Sequence, residues 1–128
     1  MAKRILFDSN IIIYYLNGAV AVESYFECIK NGEIVPVISI ITKIEILSYP
    51  SIKEQEIAAV EMALNKFEII SLTEPVVLNT IRIKREYSIK LPDAVIAATA
   101  ISEHITILTR DTTGFIKIKG LTIENPFL

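Results

Sequence analysis

A chain of 128 residues with a formal net charge of −2 and a pI near 5.4 is sized for one domain with a substantial core, and it is no general polycation. Nucleic acid is therefore met, if at all, through a local basic patch. The 52% hydrophobic fraction and mean hydropathy of +0.47 are high for so small a protein, which predicts that part of the apolar surface is covered in a dimer or by an obligate partner.

The first predicted element is a strand over Ile5-Leu6-Phe7. Its surroundings imitate a secretion signal, with Lys3-Arg4, an apolar stretch and Ala19-Val20-Ala21 in succession. Asp8-Ser9-Asn10 interrupts the would-be apolar region, and the unbroken run Ile11 to Leu16 is too short to span a bilayer. A cytoplasmic protein is expected. Asp8 tops the strand and "DSN" leads into a helix that any of the three residues can cap. Three capping candidates in a row leave Asp8 unneeded for that task.

Helical periodicity follows over Val20 to Lys30, and Gly32 punctuates the start of a strand over Ile34 to Ile40. The lone Cys28 in this region can form no internal disulfide and no thiolate zinc site, which suits a reducing compartment. A helix from about Ile40 places Ile40, Ile41, Ile44 and Leu47 on one face, with Glu45 at its edge, either as a solvated flank residue or as part of a site. "SIKEQEIAAVEMALNKF" reads as the next helix, Phe67 to Leu72 as a strand, and Pro75 to Tyr87 as a helix.

"LPDAVIAATA" opens a helix that is apolar on nearly every side, with Asp93 at its mouth. An acid in the first turn faces the positive end of the helix dipole, so a purely structural role accounts for Asp93 taken alone. The only histidine, His104, lies between this helix and the next strand, where a surface or C-capping role is expected, so Ser-His-Asp and histidine-rich metal chemistry drop out. Strands over Ile105 to Leu108 and, after Gly120, Leu121 to Ile123 complete the chain, with Asp111 topping the former in "TRDTTGF", a turn-forming context. Near-continuous apolar strands alternating with helices, with no linker or repeat, predict an α/β fold: a three-layer α/β/α sandwich around a central parallel sheet, one domain over residues 1–128.

In such a fold the ligand site lies outside the carboxyl ends of the strands. Asp8 and Asp111 end strands, Asp93 opens a buried helix, and Glu45 opens the helix after another strand, so the topology can aim all four at one crevice. Four carboxylates there repel one another and raise each other's pKa values. A hard cation, Mg²⁺ or Mn²⁺, resolves that conflict and suits phosphodiester hydrolysis. Two other α/β chemistries fail on the same residues. A haloacid-dehalogenase-like phosphatase needs an Asp where Asn10 stands, and a phosphoacceptor receiver domain needs an Asp after the third strand, which ends in Glu74-Pro75.

The pieces "ILFDSNIIIYYL", "SIITKIEIL", "LPDAVIAATA" and "ILTRDTTGF", in this order, resemble those of PIN-domain ribonucleases, specifically the VapC toxins of toxin–antitoxin pairs. The resemblance covers essentially the whole chain. It implies that Asp8, Glu45, Asp93 and Asp111 are catalytic, metal-binding acids holding one or two Mg²⁺ or Mn²⁺ ions, with Asn10 and Thr109 supporting them. It further implies an RNA substrate cut to a 5′-phosphate and a 3′-hydroxyl, a homodimer, and a small antitoxin partner. The chain departs from the pattern at Gly114, where many relatives carry a further acid. Beside Asp93, "RIKREYSIK" supplies Arg82, Lys84, Arg85 and Lys90, which with Arg110 and Lys43 either hold RNA phosphates or form solvated helix ends. Tyr14, Tyr15 and Tyr49 are available to stack bases or to pack the core. A PIN-fold ribonuclease with a processing role and no antitoxin fits the same residues, and a degenerate PIN module that binds RNA or a protein without cleavage is the alternative of another class.

Overall fold

The apolar runs assemble into a five-stranded, all-parallel sheet of order β3-β2-β1-β4-β5, with β1 Lys3–Phe7, β2 Ile34–Ser39, β3 Glu68–Ile70, β4 Thr106–Leu108 and β5 Ile123–Glu124. The structure, a computed structural model, describes residues 2–128. Among the described residues, seven α-helices connect the strands: α1 Ser9–Leu16, α2 Glu23–Lys30, α3 Ile40–Leu47, α4 Glu54–Leu64, α5 Glu74–Glu86, α6 Leu91–Glu103 and α7 Thr112–Phe115. The expected three-layer sandwich is what forms.

Alternation along β1 explains the layers. Successive side chains of a strand point to opposite faces, and here both faces are covered. Ile5 and Phe7 pack with Ile38 and Leu108 against Ile11, Ile12, Val22 and Leu64, on the face of α1, α2 and α4. Leu6 packs with Val37 and Ile107 against Val76, Ile83 and α6 on the other. All seven residues from Ala94 to Ala100 are buried, which is why this helix reads as apolar on every side. Its alanines let α5 lie close, and the Thr99 hydroxyl within it donates to the Val95 carbonyl at 2.7 Å, so no polar atom is stranded.

Boundaries differ from expectation where side chains compete for the backbone. β2 stops at Ser39 because the Ser39 Oγ accepts the Ile41 N–H at 3.1 Å and caps α3, so Ile40 belongs to the helix. Val20–Val22 forms a 3₁₀ turn ahead of α2. The fourth helix starts at Glu54, where the Glu56 carboxylate accepts the Lys53 N–H at 3.0 Å. The inward face of α3 is also different: Thr42 and Ile46 are buried, whereas Ile44 is exposed. The strand-to-helix turn at Ser39 sets the helix rotation, and each residue of phase turns the inward face by about 100°. Glu45 consequently stands in the second turn of α3 and does not open it.

The sheet order locates the site. The chain runs outward from β1 through β2 to β3, then crosses back to place β4 on the other side of β1. The switch in direction falls between β1 and β4, and a crevice opens beyond their carboxyl ends. Among the described residues, no helix is long and apolar enough to cross a membrane.

Candidate active site

Beyond β1 and β4 lies an open crevice of about 410 Å³ whose lining includes Asp8, Glu45, Asp93 and Asp111, with Ser9 and Asn10 between them. The four acids arrive on different elements. Asp8 ends β1 and is also the N-cap of α1, its Oδ1 accepting the Ser9 N–H at 2.7 Å, so the capping task judged dispensable for Asp8 is one that it performs. Glu45 reaches in from α3, Asp93 from the first turn of α6, and Asp111 from the N-cap position of α7. The expectation that all four face one crevice holds.

Asp8 is the most buried of them, with 5% of its surface exposed. Its other oxygen, Oδ2, accepts the Thr109 hydroxyl at 2.7 Å and the Asn10 amide at 3.2 Å. Thr109 Oγ1 in turn accepts the Asp111 N–H at 3.1 Å, so one threonine joins the acids at the ends of two neighbouring strands. Thr109 and Asn10, the two residues to which the resemblance assigned supporting roles, thus both donate hydrogen bonds to the Asp8 carboxylate. Ser9, read from sequence only as a cap, does more: its hydroxyl donates to Glu45 Oε1 at 2.6 Å and lies 3.2 Å from the Thr42 hydroxyl. The signal for Ser9 was the redundancy of caps in "DSN". Ser48 and Pro50, which share the lining with Tyr49, carry no sequence signal of their own.

Burial pushes the Asp8 carboxyl up to about 6, opposed by the hydrogen bonds from Thr109 and Ser9 and reinforced by the charges of Asp93 and Glu45. Asp93 is also raised, by partial burial first and then by Glu45 and Asp111, with Lys90 opposing. Among the described residues, no lysine or arginine lines the crevice, so these supply the acids with no counter-charge within it. The donors are carboxylate and hydroxyl oxygens, the set a hard divalent cation prefers. As they stand, no three acid, histidine or cysteine side chains among the described residues converge tightly enough to form a coordination sphere.

Among the described residues, none of the basic stretch lines the crevice. Arg82 pairs with Glu86 at 3.7 Å, Lys84 Nζ donates to the Ile89 carbonyl at 2.7 Å, Arg85 is exposed, and Lys90 sits at the N-cap position of α6, near enough to act on Asp93. Arg110 lies over two aromatic rings, Tyr14 at 5.1 Å and Phe127 at 4.3 Å. Lys43 is half-buried on α3. Tyr15 stacks on Phe26 with centroids 3.7 Å apart and belongs to the core, whereas Tyr49 borders the crevice. His104 holds the C-cap of α6 in a left-handed conformation, φ 56°, as its position suggested.

Residues 5–121 match the PIN domain family. A chain in a toxin–antitoxin complex from Klebsiella pneumoniae is 31% identical, with 95% of this chain and 97% of that one covered and a TM-score of 0.81. VapBC2 from Rickettsia felis, bound to a DNA fragment from its promoter, is similar at 24% identity, 95% and 98% coverage and a TM-score of 0.82. DNA-bound VapBC from Salmonella typhimurium is similar at 24% identity, 98% and 99% coverage and a TM-score of 0.81. A comparison with curated protein sequences finds no match.

Proposed function

Because the chain belongs to the PIN-domain family, we propose that it is a metal-dependent endoribonuclease that hydrolyses RNA phosphodiester bonds in the cytoplasm, the toxin of a type II pair of the VapBC kind. The observation that carries this reading is the crevice of four carboxylates without a protein cation, one of them buried and raised to about 6. Such a site is unfavourable for the bare protein and favourable for a protein that binds Mg²⁺ or Mn²⁺, as one ion or two.

Asp8 and Asp93 are the principal metal-holding residues, with Glu45 and Asp111 completing the set. The cation supplies polarisation of the phosphate and a water of lowered pKa when bound. The chain's own part is orientation. Thr109 and Asn10 fix Asp8 Oδ2, and Ser9 fixes one oxygen of Glu45, at the lining of the crevice. Lys90, with Arg85 and Lys84 behind it, provides positive surface beside Asp93 for RNA phosphates.

Two apolar surfaces serve the two protein partners. One, between α5 and the start of α6, carries Leu72, Val77, Ile81 and Leu91 and is free of charge, which suits an isologous contact with a second copy. The other, a groove bounded by Ile12, Leu16, Phe26 and Val60, is rimmed by Lys30 and Lys66 and suits an amphipathic antitoxin helix with acidic flanks. One observation favours a second reading, a PIN module that binds without cutting: the acids do not converge as they stand, and Gly114 contributes none.

Thermal unfolding with and without millimolar Mn²⁺ separates the readings, since ligand that binds only the native state raises its stability by RT ln(1 + [L]/Kd). Wild type is expected to gain several degrees. Asp93→Asn is expected to unfold later than wild type without metal, to respond weakly to Mn²⁺, and to cleave no RNA. A wild type that ignores Mn²⁺ returns Asp93 to its role at the helix dipole and demotes the nuclease.

A further inference from the structure

The tail after β5 folds back onto the loop between β4 and α7. Asn125 Nδ2 donates to the Arg110 carbonyl at 3.4 Å, and Asn125 Oδ1 accepts the Phe127 N–H at 2.9 Å, which turns the chain so that Phe127 reaches α1. There its ring lies 4.9 Å from the Tyr14 ring, and the Arg110 guanidinium covers both. Arg110 has no carboxylate partner among the described residues, so two aromatic faces are what hold its charge. The backbone of the same residue is tied to the acids: the Arg110 N–H donates to Asn10 Oδ1 at 3.4 Å, and Asn10 Nδ2 donates to Asp8 Oδ2. Arg110 is flanked by Thr109 and Asp111, which support Asp8 and line the crevice respectively.

We propose that Asn125 and Phe127 are positioning residues for the acid crevice: with Tyr14 they clamp Arg110, and through it set the loop that carries Thr109 and Asp111. This explains a residue pattern the function does not otherwise use, an aromatic just beyond β5 packed against the helix that follows Asp8. It also reassigns Arg110, whose guanidinium is engaged by the clamp and is not a free phosphate ligand. The inference rests on the reading of Asp8 and Asp111 as metal-holding groups, and its test separates the two.

Mn²⁺ binding is measured by isothermal titration on wild type, Phe127→Ala and Phe127→Tyr, alongside amide hydrogen exchange of residues 109–111 and denaturant midpoints. Phe127→Ala is expected to weaken Mn²⁺ about tenfold, at the low end of what outer-shell partners of ligating groups are worth. It is also expected to speed exchange at Arg110 and Asp111, while Phe127→Tyr, which keeps a ring, restores both. A merely structural role would move the denaturant midpoint and leave the affinity of the folded protein unchanged. Wild-type affinity and wild-type exchange in Phe127→Ala overturn the clamp, as does a loss of affinity that Phe127→Tyr fails to recover. Should wild type itself take up no Mn²⁺, the nuclease reading fails, and exchange alone decides the clamp: faster in Phe127→Ala upholds it, unchanged overturns it.

Discussion

Asp8 occupies a position where one carboxylate does two jobs that pull against each other. It caps α1 through Oδ1 and offers its charge to the crevice from a place almost without water. The protonated form is favoured in the native state, which raises the pKa from 3.8 to about 6. For a group raised on folding, the associated stability is fully present below the unfolded pKa and is lost as pH rises through the folded one. Metal-free protein is therefore expected to become more stable as pH falls from 7 through 6 towards 4, by up to about 3 kcal/mol from Asp8. Asp93, raised in the same direction, adds to the slope. Saturating Mn²⁺, which requires the ionised acids, should reverse it. Urea midpoints at pH 5, 6 and 7 with and without Mn²⁺ check this, and a flat metal-free profile would contradict the burial argument.

Gly114 belongs to the same scale. A Cβ built there meets nothing within 4 Å, and the residue lies three places after Asp111, on the same side of the short α7. Gly114→Asp is thus expected to fold normally and to tighten Mn²⁺ binding by a few-fold, in line with the dependence of affinity on ligand charge count. Unchanged affinity in titration would mean that Asp111 already supplies what this side of the crevice contributes.

At the scale of elements, the strands were the legible part because burial on both faces leaves a continuous apolar run, as in Ile5-Leu6-Phe7 and Ile105 to Leu108. α6 was legible for the same reason. The rotation of α3 was not. An eight-residue helix containing five isoleucine or leucine residues has no contrast from which to read a buried face, and the capping Ser39 decides it. Asp8 and Asp111 were readable as crevice residues because they follow strands, and Asp93 because it opens an apolar helix, whereas the Ser9–Glu45 bond depends on the unreadable phase of α3. The turn between α6 and β4 offers a direct test of local chemistry. His104 sits at φ 56°, where an L side chain is strained by about 1–2 kcal/mol and Gly is not, while the extra freedom of Gly in the unfolded chain offsets about 0.4–1. His104→Gly is expected to stabilise the protein by about 0.5–1 kcal/mol in chemical denaturation. A destabilised variant would show that the imidazole makes a contribution beyond its backbone angle.

For the whole molecule, the excess apolar character in the composition has a location. Leu72, Val77, Ile81 and Leu91 are each at least 40% exposed and cluster where α5 meets the start of α6, beside the Pro92-Asp93 corner of the crevice. Leaving such a patch to water is costly, and its lack of charge removes any electrostatic obstacle to pairing with itself. The 14.3 kDa chain is accordingly expected to sediment as a dimer, and Val77→Glu with Ile81→Glu to sediment as a monomer. Both positions are exposed in the protomer, so the double variant should keep the wild-type Mn²⁺ shift, which separates loss of association from loss of fold. A wild type that sediments as a monomer, or a double variant that stays dimeric, would move the self-contact away from this face and leave the patch to another partner.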